Sequence, residues 1–130
     1  MKKNKLSFLF LLFFTSCFTE YCGDLNYENG LTYKQGVLFT GTCKSYDLSN
    51  QLRSVQSYNN GLDHGEWVFY SKNGSILTEG VFVNGKRDGV WKYYYKTGEI
   101  WKINVFEMDK KIGEWITYNI GGEIIDQVKY

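Results

Sequence analysis

The residues of this sequence with the types for acid–base or metal chemistry are few and scattered. The only histidine, His64, stands in Asp63-His64-Gly65-Glu66 beside two carboxylates. A working catalytic imidazole needs a nucleophile or a metal and a pocket. Its counterparts later in the chain are Asp88 and Ile112, so His64 is expected to be a turn residue. Asp63, Glu66, Glu79 and Asp88 supply carboxylates of the kind that flank a glycosidic bond. They do not recur together, and a solvated rim is the expected role. Cys17, Cys22 and Cys43 show no Cys-x-x-Cys spacing, and with one histidine no metal site is expected. No Gly-rich phosphate loop and no nucleophile elbow is present. These residues predict a chain that is not an enzyme and carries no cofactor.

The aromatic residues are the better candidates. Trp67, Trp91 and Trp115 each lie two residues after a glycine, at Gly65, Gly89 and Gly113. Tyr70, Tyr94 and Tyr118 lie five residues after the same glycines. Rows of such rings could stack on sugars or grip a protein, since Trp, Tyr and Arg dominate binding hot spots. They could equally hold a sheet together. Lys86-Arg87 and Lys110-Lys111 sit in matching turns, with Leu62-Asp63 in the copy before, and solvation is the expected role of that row.

The glycines are 24 residues apart, and one step back the spacing lands on Gly41, with Cys43 in the tryptophan place and Tyr46 in the tyrosine place. Further columns agree: Asn50, Gly74, Gly98 and Gly122; Leu52, Ile76, Ile100 and Ile124; Tyr58, Phe82, Phe106 and Tyr130. A fixed period of this length marks a repeat array, with units starting near 41, 65, 89 and 113. Aromatics at 18%, 14 glycines and no proline favour strands and tight turns. Lys72-Asn73-Gly74 and Lys96-Thr97-Gly98 mark one turn of each unit, and Asn60-Gly61, Asn84-Gly85 and Met108-Asp109 the other. The expectation is an all-β chain, a single elongated antiparallel meander of repeated hairpins. Strict alternation puts Ile76 with Phe82 on one side and Leu77, Val81 and Val83 on the other. It also puts Trp67 and Tyr70 on different faces unless a bulge lies between them.

At the start, Met1-Lys2-Lys3-Asn4-Lys5 is a basic head followed by an apolar run to Phe14. That pattern reads as a secretory signal over 1–16. Phe14-Thr15-Ser16-Cys17 resembles the lipobox of bacterial lipoproteins, which implies lipidation of Cys17 and a mature chain starting there. The partner so implied is a lipid bilayer, reached through acylated Cys17, and the location is the bacterial cell envelope, periplasm-facing or surface-exposed. A lead segment then runs over 17–32, before the repeat domain at 33–130. Cys22 and Cys43 remain in an exported chain, and either pair with each other or stay as free thiols. Setting aside the three lysines of the head leaves 12 basic against 14 acidic residues, so no nucleic-acid partner is expected.

Gly-x-Trp-x-x-Tyr-x-x-x-Gly-x-Ile followed by Asn-Gly-Lys-x-x-Gly, best seen from Gly65 to Gly89, resembles the bacterial variant of the MORN repeat. The resemblance covers about 33–130 and implies an elongated antiparallel β-meander used for contacts. Some members carry the label of antitoxin component. The reading that follows is a non-enzymatic, envelope-anchored repeat protein that binds a protein or a surface polymer. An immunity or antitoxin-type binder of a cognate toxin, and a glycan or peptidoglycan module, are the alternatives.

Overall fold

The chain was analysed as a computed structural model that describes residues 19–130. The expected signal segment over 1–16 and Cys17 lie outside the described residues.

Two kinds of turn generate the architecture. In the short turns both central residues have positive φ: Asn60 and Gly61 at 48° and 78°, Asn84 and Gly85 at 49° and 81°, Met108 and Asp109 at 48° and 70°. Two such residues make the turn whose twist matches that of flanking strands. The long turns run between Asp47 and Gln51, Ser71 and Ser75, Tyr95 and Glu99, and Asn119 and Glu123, each closed by a backbone N–H to carbonyl bond of 2.8–3.0 Å. Asn50, at φ 59°, does there what Gly74, Gly98 and Gly122 do in the later copies.

Between the turns lie β5 (Gly41–Tyr46), β6 (Leu52–Asn59), β7 (Leu62–Asp63), β8 (Gly65–Tyr70), β9 (Ile76–Val83), β10 (Lys86–Tyr94), β11 (Ile100–Glu107), β12 (Lys110–Tyr118) and β13 (Ile124–Lys129). They pair antiparallel in chain order, with β7 beside β6. The all-β meander is therefore as the repeat pattern indicates. The lead segment adds more than its polar sequence suggests. Its β1 (Glu20–Tyr21) runs parallel to β5 as an outer strand, and a 3-10 turn follows at Cys22–Asp24. Its β2 (Asn26–Glu28) joins β3 (Leu31–Lys34) and β4 (Val37–Leu38) in a separate three-stranded sheet.

Each unit carries two irregularities. Within the hairpins, Phe69 faces Thr78 but Tyr70 faces Ile76, so Leu77 is an extra residue. Arg53, Trp101 and Ile125 are extra in the same way. Such a bulge reverses the parity of everything beyond it. Ile76 therefore shares a face with Tyr70, and the expectation that Ile76 and Phe82 share one is corrected. Between units the chain jogs. Asp88 pairs with Val81 and Lys92 with Glu79, so Gly89, Val90 and Trp91 stand against Gly80 alone. Gly89 makes the jog at φ 72°, where a side chain would be strained.

The jog lets the indole lie across the neighbouring strand. A Cβ on Gly80 would come within 2.2 Å of the Trp91 ring. A sheet of one layer has little interior, and the buried apolar residues are Phe39, Cys43, Trp91 and Phe106. Cys43 is buried because the lead segment covers it: a disulfide joins Cys22 to Cys43 with Cα atoms 5.0 Å apart. Backbone bonds from Thr32 N–H to the Gly61 carbonyl and from Gly61 N–H to the Phe39 carbonyl, both 2.8 Å, hold the small sheet to the first short turn.

Candidate functional site

The tryptophans and the aromatic column seventeen residues after each leading glycine interleave on one face. Ring centroids are 5.4 Å apart for Tyr58–Trp67, 4.9 Å for Trp67–Phe82 and Phe82–Trp91, 5.1 Å for Phe106–Trp115 and 4.9 Å for Trp115–Tyr130. Tilted and edge-on pairs of this kind contribute about 0.5–1.5 kcal/mol each beyond area burial. The polar edge of each indole is also taken. Trp67, Trp91 and Trp115 donate their Nε1–H to the carbonyls of Ser57, Val81 and Val105 at 2.9, 3.2 and 3.0 Å. This row therefore spends its rings and its donors on joining each unit to the one before.

One more column belongs to the spine, two residues before each leading glycine. Phe39 lies 5.7 Å from the Tyr58 ring. The Arg87 guanidinium sits 4.1 Å over Phe106, and the Lys111 ammonium 5.0 Å over Tyr130 and 4.7 Å over Trp115. Arg87 and Lys111 thus act as cation–π caps on the rings of their own units, a role beyond solvation. The second unit has Asp63 in this place.

Tyr70, Tyr94 and Tyr118 lie on the opposite face. Trp91 covers Gly80, whereas the Tyr94 hydroxyl donates to Glu79 Oε1 at 2.6 Å. Burial, and then that bond to Glu79, pushes the Tyr94 phenol up to about 12. Lys92 also reaches Glu79 at 3.5 Å. A shallow groove of about 230 Å³ on this face is lined by Glu66, Val68, Glu79, Val81, Val90 and Lys92.

His64 has a structural task that sequence reasoning left unassigned. Its Nδ1 accepts the Asn84 N–H at 3.3 Å, which requires the proton on Nε2. Thr40 Oγ1 accepts the Asn60 N–H at 2.8 Å, and Asp88 Oδ1 the Met108 N–H at 3.1 Å. Each acceptor stands just before a leading glycine and catches the next short turn. In the fourth unit the place holds Ile112, and among the described residues no short turn follows it.

Sequence reasoning also passed over Trp101, which sits in the bulge column, off the repeated tryptophan place. It is 42% exposed, with Tyr93 and Tyr95 at 6.3 and 6.4 Å and Lys102 5.9 Å over its ring. Its signal was position: a fourth tryptophan out of register with the other three.

A family described as the MORN repeat variant matches at residues 39–60, 63–84 and 87–107, together half of the chain. The chain belongs to the MORN repeat variant family. Each matched MORN window opens on the spine-capping residue, at Phe39, Asp63 or Arg87. The fourth copy, from Gly113, keeps the MORN geometry outside those windows. No curated protein and no solved structure matches the chain. As an array of MORN repeats, the chain is a repeat-based binding module.

Proposed function

We propose that this chain is a non-enzymatic binding protein tethered to a bacterial envelope through acylated Cys17, and that it grips a partner protein or surface polymer with the open faces of its sheet. The observation that carries this reading is a single-layer sheet whose large apolar side chains remain exposed after folding. Val81, Val90, Trp101, Ile125 and Val128 are all exposed. Apolar side chains left in the open along a sheet mark a contact surface. Trp101 with Tyr93 and Lys102 forms the most ring-rich part of that surface, on the same face as the tryptophan row, where Lys102 also lies 6.0 Å over Trp115. The Cys22–Cys43 disulfide supports an exported chain, since such bonds persist in oxidising compartments. Phe14-Thr15-Ser16-Cys17 supports the tether.

Affinity capture from native envelopes tests the reading, run with the full chain and with Trp101→Ala. One stoichiometric protein, or retention on cell-wall polymer, should be held by the parent chain and lost at least tenfold in the variant. Equal capture by both would sink the assignment of the surface. Labelled palmitate should enter the chain and be lost in Cys17→Ala. Hydrolytic activity that one acidic substitution abolishes would overturn the non-enzymatic reading.

A further inference from the structure

Where the three-stranded sheet lies against the first two units, a cavity of about 320 Å³ opens beside the disulfide. Leu25, Tyr27, Thr32, Tyr58, Asp63 and Trp67 line it. Three aromatic rings and one carboxylate therefore converge, and no Lys or Arg is among the lining residues. Asp63 pairs with Tyr58 across β6 and β7. Among the described residues no cation lies within ion-pair distance of Asp63. Lys34, at the end of β3 in the small sheet, is committed to Glu20 at 2.5 Å.

The repeat itself says what is unusual here. In the first unit the spine-capping place holds a ring, Phe39; in the third and fourth it holds Arg87 and Lys111, each seated on aromatic rings. Only the second unit has an anion there. A carboxylate beside the electron-rich faces of Tyr and Trp is poorly placed for its own charge and well placed to hold a positive one. Burial pushes the Asp63 carboxyl above its usual range. Burial and then the Asp63 charge push the Tyr58 phenol up to about 12. A cation entering the cavity would relieve both.

We infer that this cavity is a binding site for a small organic ammonium ion, held by the Tyr27, Tyr58 and Trp67 rings and by the Asp63 carboxylate. The ligand supplies at the second unit the positive charge that Arg87 and Lys111 supply at the third and fourth. Ammonium groups on a carbon frame suit the site better than inorganic cations, because ring faces reward a weakly hydrated cation. The inference is independent of the partner-binding surface proposed above, which involves Trp101 on the later units.

Calorimetric titration of the full chain tests it, with choline, with n-butylammonium, and with 3,3-dimethylbutan-1-ol, the uncharged isostere of choline. At least one ammonium should bind, at least tenfold more tightly than the alcohol, and should perturb Trp67 fluorescence. Asp63→Asn and Tyr27→Ala should each weaken binding at least tenfold; Tyr27 is 76% exposed, so its loss spares the fold. Asp63→Arg, which installs the residue of the third unit, should abolish binding and raise Tm. Absence of ammonium binding at millimolar concentration, equal binding of the alcohol, or undiminished affinity in Asp63→Asn overturns the inference.

Discussion

At the N-terminal edge of the sheet, β5 is flanked by β1, packed against the 3-10 turn and fastened by the Cys22–Cys43 disulfide, so that Cys43 is 0% exposed. The small sheet is held to the neighbouring Asn60-Gly61 turn. At the other edge every residue of β13 is exposed, Ile124, Ile125 and Val128 among them. The two ends solve one problem by different means. The third unit buries Trp91 between its own strand and Gly80 of the previous unit. The first unit has no previous unit, and a sulfur bridge with a short cap does the work of the ring. The fourth unit has a previous unit but none after it among the described residues, and its Tyr130 is covered only by Trp115 and Lys111.

Substitutions along the spine should show this gradient. Trp91→Ala removes a ring that is 5% exposed and should cost about 3–5 kcal/mol in denaturant unfolding. Trp115→Ala, half-buried near the bare end, should cost roughly 1–3 kcal/mol. Equal losses would break the contrast. Next, Cys22→Ser with Cys43→Ser releases a link across 21 residues and should cost about 3 kcal/mol. The loss should appear as faster hydrogen exchange in β5 and β6 while β11 and β12 keep their protection.

A smaller effect attends the turn ladder. His64→Ala leaves the Asn84 N–H without its side-chain acceptor and should cost about 0.5–1.5 kcal/mol. Ile112→Ala should leave the short turns' exchange rates unchanged. The smallest effect is one of pH. Hydrogen bonds from the Arg87 side chain, then from its backbone N–H, hold the Asp109 carboxyl below its ordinary 3.8. A depressed carboxyl stabilises the fold above the unfolded value, and that contribution disappears as pH falls through the folded one. Asp109→Asn should flatten this acid limb of the stability profile, measured by Tm between pH 5 and pH 2.

The period, the turn positions and the all-β class were legible because glycine and asparagine occur where the backbone needs positive φ. Met108-Asp109 was legible only by its place in the period; neither residue announces the conformation, and the surrounding strands impose it. The face assignment was not legible beyond the bulge. Leu77 looks like any strand residue, yet as the extra residue it moves Ile76 to the tyrosine face. The spine-capping column was written in the sequence as Phe39, Asp63, Arg87 and Lys111. It spelled no single residue type, and what Phe39, Arg87 and Lys111 share is a ring beside them. Thr40, His64 and Asp88 hid their common role in the same way: three different chemistries, each with an oxygen or nitrogen able to accept one hydrogen bond.

The step at Gly89, where three residues stand against one, also governs how the molecule tolerates being shortened. Every joint between units has the same offset, so a cut at two equivalent glycines leaves matching registers. Excision of residues 65–88 would bring His64 directly before Gly89 and set it to receive the Met108 amide in place of Asp88. Loss of a whole module should therefore keep the register of the remaining units, whereas removal of a dozen residues would leave the indole at the cut facing the wrong carbonyl.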